Sequence, residues 1–268
     1  MQKAIGIFDS GIGGLTVLSE LIRVLPEENT IYLGDTARVP YGIRSPETVT
    51  RYSFENTRFL LSQEIKMLVV ACNTASAISL DAVKSEFPLP VIGVLEPGAR
   101  AAAAATRSGR IGVIGTEATI ASGAYERAIR AMLPRAEVTS IACPLFVPLA
   151  EEGWVDNDVA ELVAGRYLSP FRGTGIDTLV LGCTHYPLLK PVISKIMGSD
   201  ITLIDSATET AAEVRSVLEK LNWKKAGSDE GVVRRYFVTD TPARFEKVGK
   251  LFLGEGSLAA EQVKVGGA

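Results

Sequence analysis

The sequence predicts an α/β fold made of two similar domains, each built on a parallel sheet, and three observations carry that expectation. Short apolar, β-rich runs recur along the chain; longer stretches with helical apolar spacing separate most of them; and two strand-end sequences are each repeated later in the same order.

The runs are Ala4 to Phe8, Thr30 to Leu33, Met67 to Ala71, Val91 to Val94, Ile111 to Ile114, Val138 to Ala142, Thr178 to Leu181 and Ile201 to Ile204. Strands of a parallel sheet read as continuous apolar runs because helices cover both faces. Helical spacing fills Leu15 to Leu25, Pro46 to Gln63 and Thr119 to Met132, and the alanine-rich Gly98 to Thr106, just after Glu96-Pro97, is expected as the helix that opens a second half. From Ala207 onward a helix, a charged turn around Lys224 to Glu230 and a strand at Val232 to Val238 are expected to return and complete the first domain.

Val69-Val70-Ala71-Cys72-Asn73-Thr74 is echoed by Val180-Leu181-Gly182-Cys183-Thr184-His185, and Ile5-Gly6-Ile7-Phe8-Asp9-Ser10 by Ile111-Gly112-Val113-Ile114-Gly115-Thr116. The intervals are 67 residues from Ile5 to Cys72 and 72 from Ile111 to Cys183. Two echoes in one order at nearly one separation indicate one α/β half used twice. Residues 1–97 with 207–268 are expected to form one domain and 98–206 the other, related by pseudo-twofold symmetry, with the active site in the cleft between them.

Composition narrows the function. The 28 basic and 31 acidic residues are scattered, so there is no positive stripe for a phosphate backbone and nucleic acid is not an expected partner. Apolar runs fall short of the roughly 18 residues of a membrane span, and the start lacks the layout of a signal peptide, so the expected location is the cytoplasm. Three cysteines with no CxxC pair argue against a disulfide framework and an ordinary zinc site; there is one histidine and no HExxH, so neither metal nor cofactor is expected. Gly11-Ile12-Gly13-Gly14 departs from a dinucleotide fingerprint, since Thr16 stands at the third glycine position and Asp9 would set negative charge beside a pyrophosphate.

In an open parallel sheet, ligands sit beyond the carboxyl ends of the strands, where Asp9-Ser10, Cys72-Asn73-Thr74, Thr116 and Cys183-Thr184-His185 all fall. Two such halves facing each other would line one cleft with a cysteine on each wall. Racemisation needs that arrangement: removing an α-proton gives a planar carbanion, and inversion requires a proton delivered to the opposite face. Free thiols titrate near pH 8.5 and can be tuned by their surroundings to serve as acid or base. Cys143, beside Pro144 in an apolar context, reads instead as a small core residue. Asp9 and His185 are candidate helpers, and Asp9 is also placed to cap a helix starting near Gly13. Glu151 or Glu152 could partner His185. Ser10, Asn73, Thr74, Thr116, Thr119 and Thr184 offer neutral donors, with helix N-termini, for substrate carboxylates.

At this point the chain resembles the bacterial glutamate racemases. The matching stretches are FDSGIGGLTV from Phe8, YLGDTARVPYG from Tyr32, ACNTASA from Ala71, LGCTHYPLL from Leu181 and IDSA from Ile204, joined by the weaker FVPLAEEG from Phe146 and FVTDTPARF from Phe237. The resemblance implies a cofactor-independent isomerase that supplies D-glutamate for peptidoglycan, often as a homodimer. It implies that Cys72 and Cys183 are the proton donor and acceptor, assisted by Asp9, Glu152 and His185, with Cys72 deprotonating D-glutamate and Cys183 L-glutamate. It also assigns Asp9, Ser10, Tyr41, Gly42, Asn73, Thr74, Thr116, Thr119, Thr184 and His185 to substrate contact. Related aspartate racemases usually carry an acidic residue where His185 stands, which favours glutamate as substrate. Two rivals stand beside this reading: an isomerase or decarboxylase of the same two-cysteine plan acting on another acid, and a noncatalytic protein that closes on a small acidic ligand.

Overall fold

The computed structural model describes residues 3–225, 227, 231–254 and 258–266. Its strands are β1 (Ala4–Asp9), β2 (Thr30–Gly34), β3 (Ile65–Val70), β4 (Val91–Gly93), β5 (Arg110–Gly115), β6 (Glu137–Ala142), β7 (Thr178–Gly182), β8 (Thr202–Asp205), β9 (Arg234–Val238) and β10 (Ala260–Gln262). They form two parallel sheets, one in the order β10-β9-β2-β1-β3-β4 and the other β6-β5-β7-β8. Setting β9 and β10 aside, both sheets share one strand order and one register: Phe8 pairs with Val70 as Ile114 pairs with Leu181, two residues before each cysteine. This is the three-dimensional counterpart of the repeated sequences.

The helices are α1 (Leu15–Val24), α2 (Pro46–Ser62), α3 (Asn73–Glu86), α4 (Leu95–Ala105), α5 (Glu117–Ala121), α6 (Ala124–Met132), α7 (Phe146–Glu151), α8 (Asp158–Leu168), α9 (Lys190–Met197), α10 (Ser206–Lys220) and α11 (Pro242–Leu253). They cover both faces of each sheet, and strand alternation divides the apolar residues accordingly. In β1, Ile5 and Ile7 join Leu15, Leu18, Val214 and Phe245 on one side, while Ala4 and Phe8 join Val49, Leu60 and Val83 on the other. The smaller sheet repeats the division, with Leu179 and Leu181 packed against α8 and α9, and Val180 against Leu95, Ala99 and Ile129. Helices α4 and α10 pack on each other along the seam between the sheets, where Arg100 pairs with Glu213 at 2.7 Å. No helix among the described residues is long and apolar enough to cross a membrane.

Several boundaries differ from expectation for identifiable reasons. The helix expected over Thr119 to Met132 is two helices, because Gly123 adopts φ +62°, a left-handed value that an α-helix cannot contain. The first of them starts early, at Glu117, under a Thr116 cap. The helix expected from Gly98 begins at Leu95, since Pro97 is tolerated in a first turn whose N–H groups have no partner within the helix. Strand β10 had no apolar run to announce it and is an exposed edge beside β9. The charged turn at Lys224 to Glu230 falls largely outside the described residues.

Leu179 is fully buried in the smaller sheet's core. Leu179→Ala is therefore expected to lower the unfolding free energy by about 2–5 kcal/mol, read as a lower urea midpoint with an unchanged slope.

Candidate active site

The two cysteines occupy equivalent positions just past β3 and β7, where the chain leaves the sheet. Cys72 caps α3: its Sγ accepts from the Ala75 N–H at 3.5 Å and lies 3.6 Å from Ser10 Oγ. The Cys183 Sγ lies 3.8 Å from His185 Nδ1. Each residue is 6% exposed, so both sulfurs are withdrawn from bulk water. Burial, and then the Asp9 carboxylate, push the Cys72 thiol up to about 12, against the opposing pull of the Ala75 N–H and the Ser10 hydroxyl. Charge on Cys183 adds to the upward push, which places the two sulfurs within electrostatic reach of each other.

The ends of the two sheets are held together by the loop after β1. Thr16 Oγ1 donates to the Thr184 carbonyl at 3.0 Å, and Gly13 sits so close to His185 Nδ1 and Thr184 Oγ1 that any side chain there would overlap both. Asp9 is fully buried at the start of this loop. Its Oδ2 accepts from Gly11 N at 2.8 Å, bracing the turn ahead of α1, whose cap is Gly14 with no side-chain bond. Burial raises the Asp9 pKa, opposed first by the nearby charge of His185. Among the described residues, Asp9 Oδ1 has no hydrogen-bonding partner.

His185 is the junction of the charged groups. Burial alone would depress it, but the Cys183 sulfur, the Glu151 carboxylate and the Asp9 charge outweigh that penalty and lift it to about 10. Its Nε2 meets Glu151 Oε1 at 3.2 Å, and Glu151 Oε2 in turn accepts from Arg244 Nη2 at 3.1 Å. The carboxylate that the structure brings to His185 is thus Glu151; Glu152 is exposed and its backbone N–H closes the last turn of α7.

Neutral polar groups line the other side. Thr74 Oγ1 lies 3.0 Å from Thr116 Oγ1 and 3.1 Å from Thr119 Oγ1, a hydroxyl cluster that joins α3 of one half to α5 of the other. Asn73 Oδ1 accepts from the Tyr125 hydroxyl at 2.6 Å, whereas its buried Nδ2 has no partner among the described residues. Unpartnered buried polar atoms are costly. Two of the three found among the described residues, Asp9 Oδ1 and Asn73 Nδ2, belong to residues beside the cysteines. Gly42 packs directly on Thr116, leaving no room for a Cβ. Tyr41 is turned away from this group: its hydroxyl donates to Asp35 and accepts from Asn56 Nδ2 at 3.0 Å. Only the backbone of Tyr41 is left to serve a ligand beside Thr116. Cys143 is fully buried in the apolar core of the smaller sheet, with its carbonyl bonded to the Tyr186 hydroxyl at 2.8 Å.

Sequence reasoning did not single out Arg38, Asp35, Tyr125, Phe252 or Arg244. Arg38 Nε donates to both Asp35 carboxylate oxygens, at 2.7 and 2.9 Å, its Nη2 donates to Asn56 Oδ1, and the guanidinium lies over the Tyr52 ring, bracing the loop that carries Gly42. Asp35 and Arg38 do lie in the YLGDTARVPYG stretch, so a signal for them was present. Among the described residues no three His, Cys, Asp or Glu side chains group as metal ligands.

The profile of the family described as Asp/Glu/Hydantoin racemase matches residues 6–214. A glutamate racemase of Geobacter metallireducens is 62% identical over 252 residues, covering 94% of this chain and 93% of that protein. Among solved structures, a glutamate racemase isoform of Bacillus anthracis superposes with a TM-score of 0.93 at 42% identity, covering 98% of this chain and 97% of its own. One from Francisella tularensis, in complex with D-glutamate, gives 0.92 at 40%, covering 98% of each. Shared strand order, repeated cysteine positions and similarity over nearly the whole length lead to one conclusion: the chain belongs to the Asp/Glu/Hydantoin racemase family.

Proposed function

We propose that this chain interconverts L- and D-glutamate by proton transfer at the α-carbon between Cys72 and Cys183, supplying D-glutamate for peptidoglycan. The observation that carries the mechanism is the pair of buried cysteines at equivalent ends of two sheets with one strand order. Glutamate as substrate is supported by the names of relatives up to 62% identical and by the D-glutamate complex of a close structural neighbour.

One sulfur removes the α-proton as a thiolate, the α-carbon becomes planar, and the other sulfur gives its proton to the opposite face; the reverse direction exchanges the roles. Pushed up to about 12, Cys72 holds its proton near neutral pH and stands as a donor. Cys183 faces a positively charged His185, which stabilises the thiolate form of the sulfur, the form that takes the α-proton and becomes a neutral thiol. Asp9, buried beside Cys72, is positioned to relay the proton that resets that side. Asn73, Ser10 and the Thr74, Thr116 and Thr119 hydroxyls, with the backbone of Gly42, are the groups we assign to the substrate's carboxylates and ammonium; Thr184 and His185 complete the wall. Water exclusion strengthens each of these contacts. The proposed domain division, 1–97 with 207–268 against 98–206, puts one sulfur in each domain. A cytoplasmic homodimer completes the proposal, tested by light scattering for twice the chain mass.

Purified protein without added cofactor should invert glutamate, and in heavy water the α-proton should exchange by proton NMR; a pure binding protein would exchange none, and inversion of aspartate alone would defeat the substrate assignment. Cys72→Ala and Cys183→Ala should each lower kcat for inversion by about 10²–10⁴-fold or more, with unchanged circular dichroism. Full racemisation by either variant would refute the two-thiol mechanism. Glu151→Gln should slow inversion at least tenfold, whereas Glu152→Gln should leave it within about twofold, a contrast set by which carboxylate reaches His185.

His185 also predicts a pH dependence of stability. Its pKa is raised on folding, from 6.5 to about 10, so its contribution is complete below pH 6.5 and disappears as pH climbs through about 10. Denaturant unfolding of wild type and His185→Asn at a series of pH values should show a stability gap that narrows over that window.

A further inference from the structure

Helix α11 packs on α1 and β10, and so travels with the larger sheet, yet two of its side chains reach the acid/base groups of the smaller one. Arg244 Nη2 donates to Glu151 Oε2 at 3.1 Å, and the Phe252 ring stands perpendicular to the His185 imidazole with centroids 5.5 Å apart. Arg244 and Phe252 are eight residues apart, slightly over two turns, and therefore share a face of the helix. Arg244, Phe245 and Glu151 also border a cavity of about 460 Å³ that opens beside Gly11 and Val39.

We propose that Arg244 is a positioning residue for the Cys183 side of the reaction, holding Glu151 against His185 from across the cleft, with Phe252 fixing the plane of the ring. The inference rests on the two-thiol reading above and adds an asymmetry to it. Glu151 has two oxygens and two partners: Oε1 faces His185 and Oε2 faces Arg244. A carboxylate held at one oxygen alone can rotate away from the imidazole; held at both, it cannot. Among the described residues no such chain reaches Cys72, whose neighbours include Ser10, Ala75 and Asp9. Because Arg244 and Glu151 lie on elements of different sheets, the Cys183 side is fully assembled only when the two halves are closed.

Arg244→Met tests this. Arg244 is 67% exposed, so the variant is expected to fold, checked by its melting temperature. A racemase equilibrium constant near one forces kcat/KM to fall equally in both directions, so its loss, expected at about tenfold, does not identify the affected side. Primary isotope effects do. With α-deuterated glutamate, the effect should rise for the enantiomer deprotonated by Cys183, as that step becomes more limiting, and fall for the other enantiomer. Arg244→Lys should restore both effects most of the way. A loss of rate with the two isotope effects unchanged, or wild-type rates in Arg244→Met, would overturn the assignment of Arg244 and leave the two-thiol mechanism standing. Absence of inversion in the wild type would instead remove the parent reading, and this inference with it.

Discussion

Two sulfurs can serve one α-carbon only if the carboxyl ends of two separate sheets are held face to face, and everything else in this protein depends on that contact. It is made by small residues and backbone: Gly13 fits against His185 and Thr184, Thr16 ties to the Thr184 carbonyl, and Gly42 lies on Thr116. Side chains at the glycines would push the halves apart by an atom's width. Proton transfer between sulfur and carbon tolerates little of that displacement, because rate depends steeply on the geometry of approach.

The duplication gives the two sides the same backbone but not the same chemistry. Both cysteines leave their sheets at matching positions, yet one looks to a buried carboxylate and the other to an imidazolium backed by Glu151. A reaction that runs in both directions does not need identical partners. Under the proposed mechanism it needs one group able to hold a proton while the other is able to take one, and opposite local charge supplies that difference between two chemically identical thiols. Neutral groups meet beside them, where hydroxyls from α3 and from α5 and its cap converge.

Buried polar networks hold this arrangement at a distance from the sulfurs. Asp35 accepts from Arg38, Tyr41 and Thr239, and Arg38 reaches Asn56, so the loop carrying Gly42 is tied to α2 and to the strand end of β9. Such networks are favourable only when their members are satisfied, which makes them rigid supports. Two of the three unpartnered buried atoms among the described residues are found instead on Asp9 and Asn73, beside the cysteines.

Much of this was determined by local sequence. Apolar runs located the strands from β1 to β8, since most of these strands are covered on both faces and have little polar alternation to blur them, and the repeated Cys-Asn-Thr and Cys-Thr-His endings marked the two strand ends that carry the cysteines. Tertiary structure decided what local pattern cannot encode. Glu151 and Glu152 are neighbours in sequence but point about 100° apart on a helix, so the docking of α7 alone chooses which meets His185. Tyr41 carries a hydroxyl suited to a ligand, but Asp35 and Asn56 claim it first. Arg244 and Phe252 come from some sixty residues beyond His185, on a helix belonging to the opposite sheet. Periodicity reports which face of an element is apolar; it carries no information about which distant charge that element will meet once the chain has closed.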